Sequence, residues 1–132
     1  MGQSKLVLHH IGIATEDIAD MTAQMENRFD IVKKTEIVYD PIQKASLCML
    51  TLKDGVQIEL VQGEAVAGFL RRNQRLYHTC YQTDNIDEMV KKLVEEGGTQ
   101  VTAPESAVLF GGRRVCFLMT QLGLIELVEE ER

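Results

Sequence analysis

No run of apolar residues in this chain approaches the roughly 18 that a membrane span needs, so no transmembrane helix is expected. Paired cysteine spacing is missing too. Cys48, Cys80 and Cys116 stand singly in apolar runs, with no CxxC among them. An odd count without such spacing predicts reduced thiols packed as small hydrophobes, in a cytoplasmic setting. Positive charge is scarce: 14 Lys and Arg stand against 20 Asp and Glu, a net charge of −6. That balance argues against nucleic acid or an anionic membrane as a partner. The opening residues, Met1-Gly2-Gln3-Ser4-Lys5, carry no signal-peptide apolar core. Leu6 stands where a myristoylation motif on Gly2 wants Ser or Thr. Low-complexity segments and floppy linkers are absent as well.

What the chain does contain is a repeat. Leu8, His10, Thr15, Ile18 and Met21 recur identically as Leu76, His78, Thr83, Ile86 and Met89, a constant 68 residues on (78 − 10). Acids recur with them, as Glu16/Asp84 and Asp20/Glu88. A second echo closes each half, Ile58-Glu59-Leu60-Val61 returning as Ile125-Glu126-Leu127-Val128. A fixed period is the first fact to settle in a sequence, and two copies are too few for a solenoid. The 132 residues, 45% of them hydrophobic and 26% charged, are therefore read as one domain built from a duplicated module. Module one runs over 6–62, a link over 63–75 and module two over 76–129.

Each module reads as β-α-β-β-β, an α+β pattern with mixed strand pairing. Short apolar stretches predict strands over 6–14, 31–38, 45–52 and 56–62, then over 76–82, 99–102, 113–119 and 124–128. Thr15 is the expected N-cap of a helix to about Arg28, with Ile18, Met21 and Met25 inward. A second helix is expected from Asp84 to Glu96, burying Ile86, Met89, Val90, Leu93 and Val94 and ending at Gly97-Gly98. Lys53-Asp54-Gly55 and Gln121-Leu122-Gly123 read as hairpin turns, and 67–73 as helix-compatible. Glu129-Glu130-Glu131-Arg132 reads as a solvated tail.

Alternation along a strand puts Leu8, His10, Gly12 and Ala14 on one face. If the modules pair about a pseudo-twofold, His10, Glu59, His78 and Glu126 converge on one point. Two imidazoles and two carboxylates suit a divalent Mn, Fe, Co, Ni or Zn ion, with positions left open for water or substrate. The alternative for each residue alone is a satisfied core histidine or a solvent-facing glutamate. Against that, Glu59 and Glu126 are flanked by Ile, Leu and Val, where an unpaired carboxylate would be costly. His9 breaks the alternation and meets Tyr77 in the repeat, so it reads as a packing residue. Tyr39 and Tyr81 read as core rather than cavity-lining.

These positions resemble the vicinal oxygen chelate (glyoxalase) superfamily over essentially the whole chain. Several stretches are similar, within it, to the methylmalonyl-CoA epimerases: His10-Ile11-Gly12-Ile13-Ala14, Ala67-Gly68-Phe69-Leu70-Arg71-Arg72-Asn73, Tyr77-His78-Thr79-Cys80-Tyr81, and Arg114-Val115-Cys116-Phe117-Leu118 with Ile125-Glu126-Leu127. The resemblance implies a curved, half-barrel sheet and a homodimer. It implies His10, Glu59, His78 and Glu126 as ligands of one divalent metal, and proton transfer next to the carbonyl of a small acyl thioester. Glu126, with Glu59 opposite, is then the expected base. Arg71, Arg72, Arg75 and Arg114 read as candidates to hold the phosphates or carboxylate of an acyl-CoA, the alternative being a solvated face paired with nearby acids. Arg113 is a similar case. The stretch Lys44 to Leu50 carries no carboxylate, where some epimerases have one. The final hairpin is also shorter than is usual in them. A glyoxalase I-like enzyme acting on a hemithioacetal would use the same residues. A metal-free drug-binding module is the non-enzymatic alternative, and a dioxygenase would want only three protein ligands.

Overall fold

The computed structural model describes residues 5–130. The expectations for Gly2 and for Glu131 and Arg132 lie outside them. No described helix is long and apolar enough to cross a membrane. The described residues divide into two compact units, 10–77, and 5–9 with 78–130.

In the unit His10–Tyr77, the strands are β1 (Val7–Ala14), β2 (Ile31–Lys34), β3 (Val38–Asp40), β4 (Ala45–Leu52) and β5 (Gln57–Gly63). They lie in the order β2-β4-β5-β1, with β3 on β4 beyond β2. β1 and β5 are parallel, with Gly12 opposite Glu59, and the other pairings are antiparallel. Helix α1 (Ile18–Arg28) packs Ile18 and Met25 on Cys48, Leu50 and Leu60. Side chains such as Ile18, Leu50 and Leu60 each add about 1.5–3 kcal/mol on burial. A one-turn helix, α2 (Ala67–Arg71), follows β5 and a short 3-10 turn.

The other unit repeats this plan. Its strands are β6 (Leu76–Thr83), β7 (Thr99–Gln100), β8 (Glu105–Ser106), β9 (Arg114–Thr120) and β10 (Gly123–Glu129), ordered β6-β10-β9-β7 with β8 on β9. β6 and β10 are parallel, with Cys80 opposite Glu126. Helix α3 (Ile86–Glu95) buries Ile86, Met89 and Val90 on Cys116, Leu118, Ile125 and Leu127. Gly97, at φ +105°, reverses the chain, and the Gly98 N–H donates to Leu93 O at 2.8 Å.

Three expectations change in detail. The first helix is capped by Asp17, whose Oδ1 accepts from the Asp20 N–H at 3.1 Å. Thr15 acts one step earlier, its hydroxyl accepting from the Asp17 N–H. The second module does the same with Thr83, Asn85 and Glu88, so the repeat includes its caps. Val94 stays 44% exposed, because it falls off the inward stripe of α3. Glu129 belongs to β10 and is held by Arg114, so the acidic end begins within the sheet.

The expected strand 31–38 is two strands, β2 and β3, and the cause is a hydroxyl. Beside Thr35, the Met49 N–H is taken by Thr35 Oγ1 at 2.9 Å rather than by a backbone carbonyl. The Thr35 carbonyl accepts instead from the Cys48 thiol. Thr102 does the same between β7 and β8: its Oγ1 accepts from the Phe117 N–H at 2.9 Å, and its carbonyl from the Cys116 thiol. A side-chain oxygen standing in for a carbonyl lets the strand leave the ladder without orphaning a buried donor. Thr102→Ala should therefore cost about 1–3 kcal/mol in a urea unfolding experiment, with Thr102→Ser near wild type. A Thr102→Ala midpoint indistinguishable from wild type would refute this role.

Candidate functional site

In each unit α1 or α3 covers one face of the sheet. The histidine and glutamate occupy the other, because side chains alternate along a strand. On β1, His10 lies two residues before Gly12, which pairs with Glu59. On β6, His78 lies two residues before Cys80, which pairs with Glu126. The same offset in the same parallel register makes the same contact twice. His10 Nε2 is 3.5 Å from Glu59 Oε1, and His78 Nε2 is 3.1 Å from Glu126 Oε1. All four side chains are buried, none more than 2% exposed.

Parallel pairing therefore brings His10 to Glu59 and His78 to Glu126. Each pair offers an imidazole nitrogen and a carboxylate oxygen aimed at each other and shut from bulk water. Carboxylates so placed need a compensating cation or donors. Imidazole plus carboxylate is also a donor set that borderline and hard divalent ions accept.

The wall beside each glutamate was not read from the sequence. Met49 stands directly across the antiparallel β4–β5 pair from Glu59, and Phe117 stands likewise across β9–β10 from Glu126. Phe117 also meets the His78 ring edge to face, at 5.3 Å and 89°. The signal was present as Cys48-Met49 and Cys116-Phe117, again 68 residues apart. No carboxylate shares this wall on β4, in keeping with the apolar reading of 45–50.

The other expectations sort cleanly. His9 packs edge to face on Phe110 at 5.3 Å. Tyr81 packs on the α3 core, whereas Tyr39 is 60% exposed on β3, away from the core it was expected to join. Burial pushes the thiols of Cys48 and Cys116 up, away from thiolate, as inert structural cysteines require. Arg75 makes a two-pronged contact with Glu16 at 2.7 and 2.8 Å, and that guanidinium holds the Glu16 carboxyl below its usual range. Arg114 bridges Glu129 and Asp87, each at 2.9 Å, and these carboxylates push its pKa up. Arg113 donates to the carbonyls of Phe110 and Glu129. Arg71 and Arg72 have no acidic partner among the described residues.

A sequence model of the Glyoxalase/Bleomycin resistance protein/Dioxygenase superfamily matches residues 9–117. An ethylmalonyl-CoA/methylmalonyl-CoA epimerase of Cereibacter sphaeroides is 27% identical over 117 residues, covering 84% of this chain and 86% of that protein. Among solved structures, a methylmalonyl-CoA epimerase from Mycobacterium tuberculosis aligns at a TM-score of 0.80 and 20% identity, over 95% of this chain and 88% of that one. A hypothetical protein from Bacillus halodurans C-125 aligns at 0.78 and 21%, over 98% and 97%. These structures share the fold.

Proposed function

The chain belongs to the Glyoxalase/Bleomycin resistance protein/Dioxygenase superfamily, and on that premise we propose a metal-dependent enzyme that moves the proton next to the carbonyl of a small acyl thioester. Epimerisation of methylmalonyl-CoA is the specific reaction. One observation carries the reading: the same buried His–Glu pair, in the same register, occurs once in each unit. The similarity to the Cereibacter epimerase supports the substrate class.

His10, Glu59, His78 and Glu126 would together hold one Co, Ni, Zn, Mn or Fe ion. The fit rests on the donor set: two neutral-capable imidazoles and two carboxylates, all dry, with their Nε2 and Oε1 atoms facing each other. When bound, such an ion supplies a Lewis acid that makes the thioester α-proton more acidic.

The protein's residues do the rest. Glu126 takes the proton from the α-carbon, and the C–H electron pair passes into the thioester as an enolate. Glu59, at the repeat-equivalent position, returns a proton to the opposite face and so inverts the centre. Met49 and Phe117 line the two carboxylates with apolar surface and exclude water, which would otherwise exchange the proton unproductively.

The test is deuterium incorporation from D2O into methylmalonyl-CoA, followed by mass spectrometry with added Co or Ni and again with EDTA. Rapid incorporation that EDTA abolishes is the expected result. No incorporation by protein carrying stoichiometric metal would sink the thioester assignment and turn attention to hemithioacetals. No incorporation and no metal would favour a ligand-binding module.

A further inference from the structure

In a chain of net charge −6, two guanidinium groups converge on one glycine with no acid to meet them among the described residues. Arg71 ends α2, and Arg72 follows it. A methyl placed on Gly68 would lie 3.7 Å from an Arg71 terminal nitrogen and 3.5 Å from one of Arg72. Both positive groups thus hang over one glycine, and both residues are exposed. Their treatment differs from that of Arg75 and Arg114, each tied to carboxylates within 3 Å. Like charges on one exposed surface repel weakly, and an anion placed between them turns that repulsion into attraction.

The platform beneath is aromatic. The Arg72 guanidinium lies over the Phe69 ring, 5.1 Å from its centroid. Phe69 meets Tyr77 edge to face at 4.9 Å, and Tyr77 is 9% exposed, anchored at the start of β6. A guanidinium held over an aromatic ring by cation–π attraction still has N–H donors to offer a ligand. Forked donors of this kind match phosphate oxygens in pairs.

We propose that Arg71 and Arg72, over Gly68 and supported by Phe69, form a phosphate-binding site that takes the nucleotide end of a CoA thioester. Binding of CoA in this way rests on the substrate class proposed above, but binding of phosphate does not. Phe69 is a positioning residue here, since it acts through Arg72.

The experiment is calorimetric titration of the full chain and of R71Q/R72Q with CoA, with CoA lacking its ribose phosphate, and with inorganic pyrophosphate. The substitutions are on the surface, and circular dichroism checks their folding. CoA and pyrophosphate should each bind the double variant about tenfold or more weakly, the loss expected for charge-assisted hydrogen bonds. R71K/R72K, which keeps the charge but not the fork or the stack, should fall between. F69L should weaken both ligands by about threefold through loss of the stack, a loss R72Q alone would pre-empt. Equal affinities in wild type and R71Q/R72Q would overturn the site. Pyrophosphate bound through these arginines, with CoA unbound, would overturn the thioester assignment and leave a free phosphate compound as the ligand. Arginine-dependent CoA binding without deuterium exchange would uphold this site and refute the epimerase reading. Exchange with arginine-independent CoA binding would do the reverse.

Discussion

Glu126→Gln is expected to slow deuterium exchange at the methylmalonyl-CoA α-carbon by about 10³-fold, within the range lost when a positioned base is removed. The substitution keeps shape and volume at a site that is 1% exposed, so packing against Phe117 should survive. What it removes is the oxygen that accepts the proton. The contrast with Glu59→Gln separates one base from two. If each carboxylate serves one face, E126Q stops exchange starting from one epimer and E59Q stops it starting from the other. If Glu126 serves both, E59Q exchanges either epimer, slowed only by its effect on the metal. Exchange in E126Q within about threefold of wild type would remove Glu126 from the chemistry altogether.

The second large effect concerns stability. Binding only to the folded chain, a metal at 1,000-fold excess over its Kd adds about 4 kcal/mol. For a chain of this length that raises Tm on the order of 10–20 °C. Thermal unfolding with each of Co, Ni, Zn, Mn and Fe, then with EDTA, measures it, and metal analysis should find one ion per chain. H10A and H78A test whether the two pairs act as one. With four ligands on one ion, either single variant loses most of the shift and the double variant loses little more. Two independent pairs would bind two ions and lose the shift additively. That additive result, or no shift with any of the five metals, would defeat the shared centre.

How much of this was legible beforehand follows from the kind of physics involved. A strand alternates with period two whatever surrounds it, so His10 and Gly12, or His78 and Cys80, share a face by covalent geometry alone. The repeat then supplied Glu59 and Glu126 as partners, because duplicated modules reuse one register. The helices were visible through their apolar stripes, and the ending of α3 through its glycines.

Other features depended on competition that a linear reading does not weigh. Thr15 and Asp17 are both good caps, and only the path of the chain leaving β1 assigns the helix N–H to Asp17. A stretch as strand-like as 31–38 breaks because the Thr35 hydroxyl takes a hydrogen bond that a carbonyl would otherwise accept. Four arginines looked alike in sequence. Folding brings Glu16 to Arg75, and Asp87 and Glu129 to Arg114, across 59, 27 and 15 residues of chain, and gives Arg71 and Arg72 no acidic partner among the described residues. By itself, then, the sequence determined the duplicated α+β plan and the identity and face of the four candidate ligands, since both follow from local periodicity and repetition. Only the tertiary structure decided which charges are satisfied internally and which residues wall the glutamates, because those depend on what distant segments place beside them.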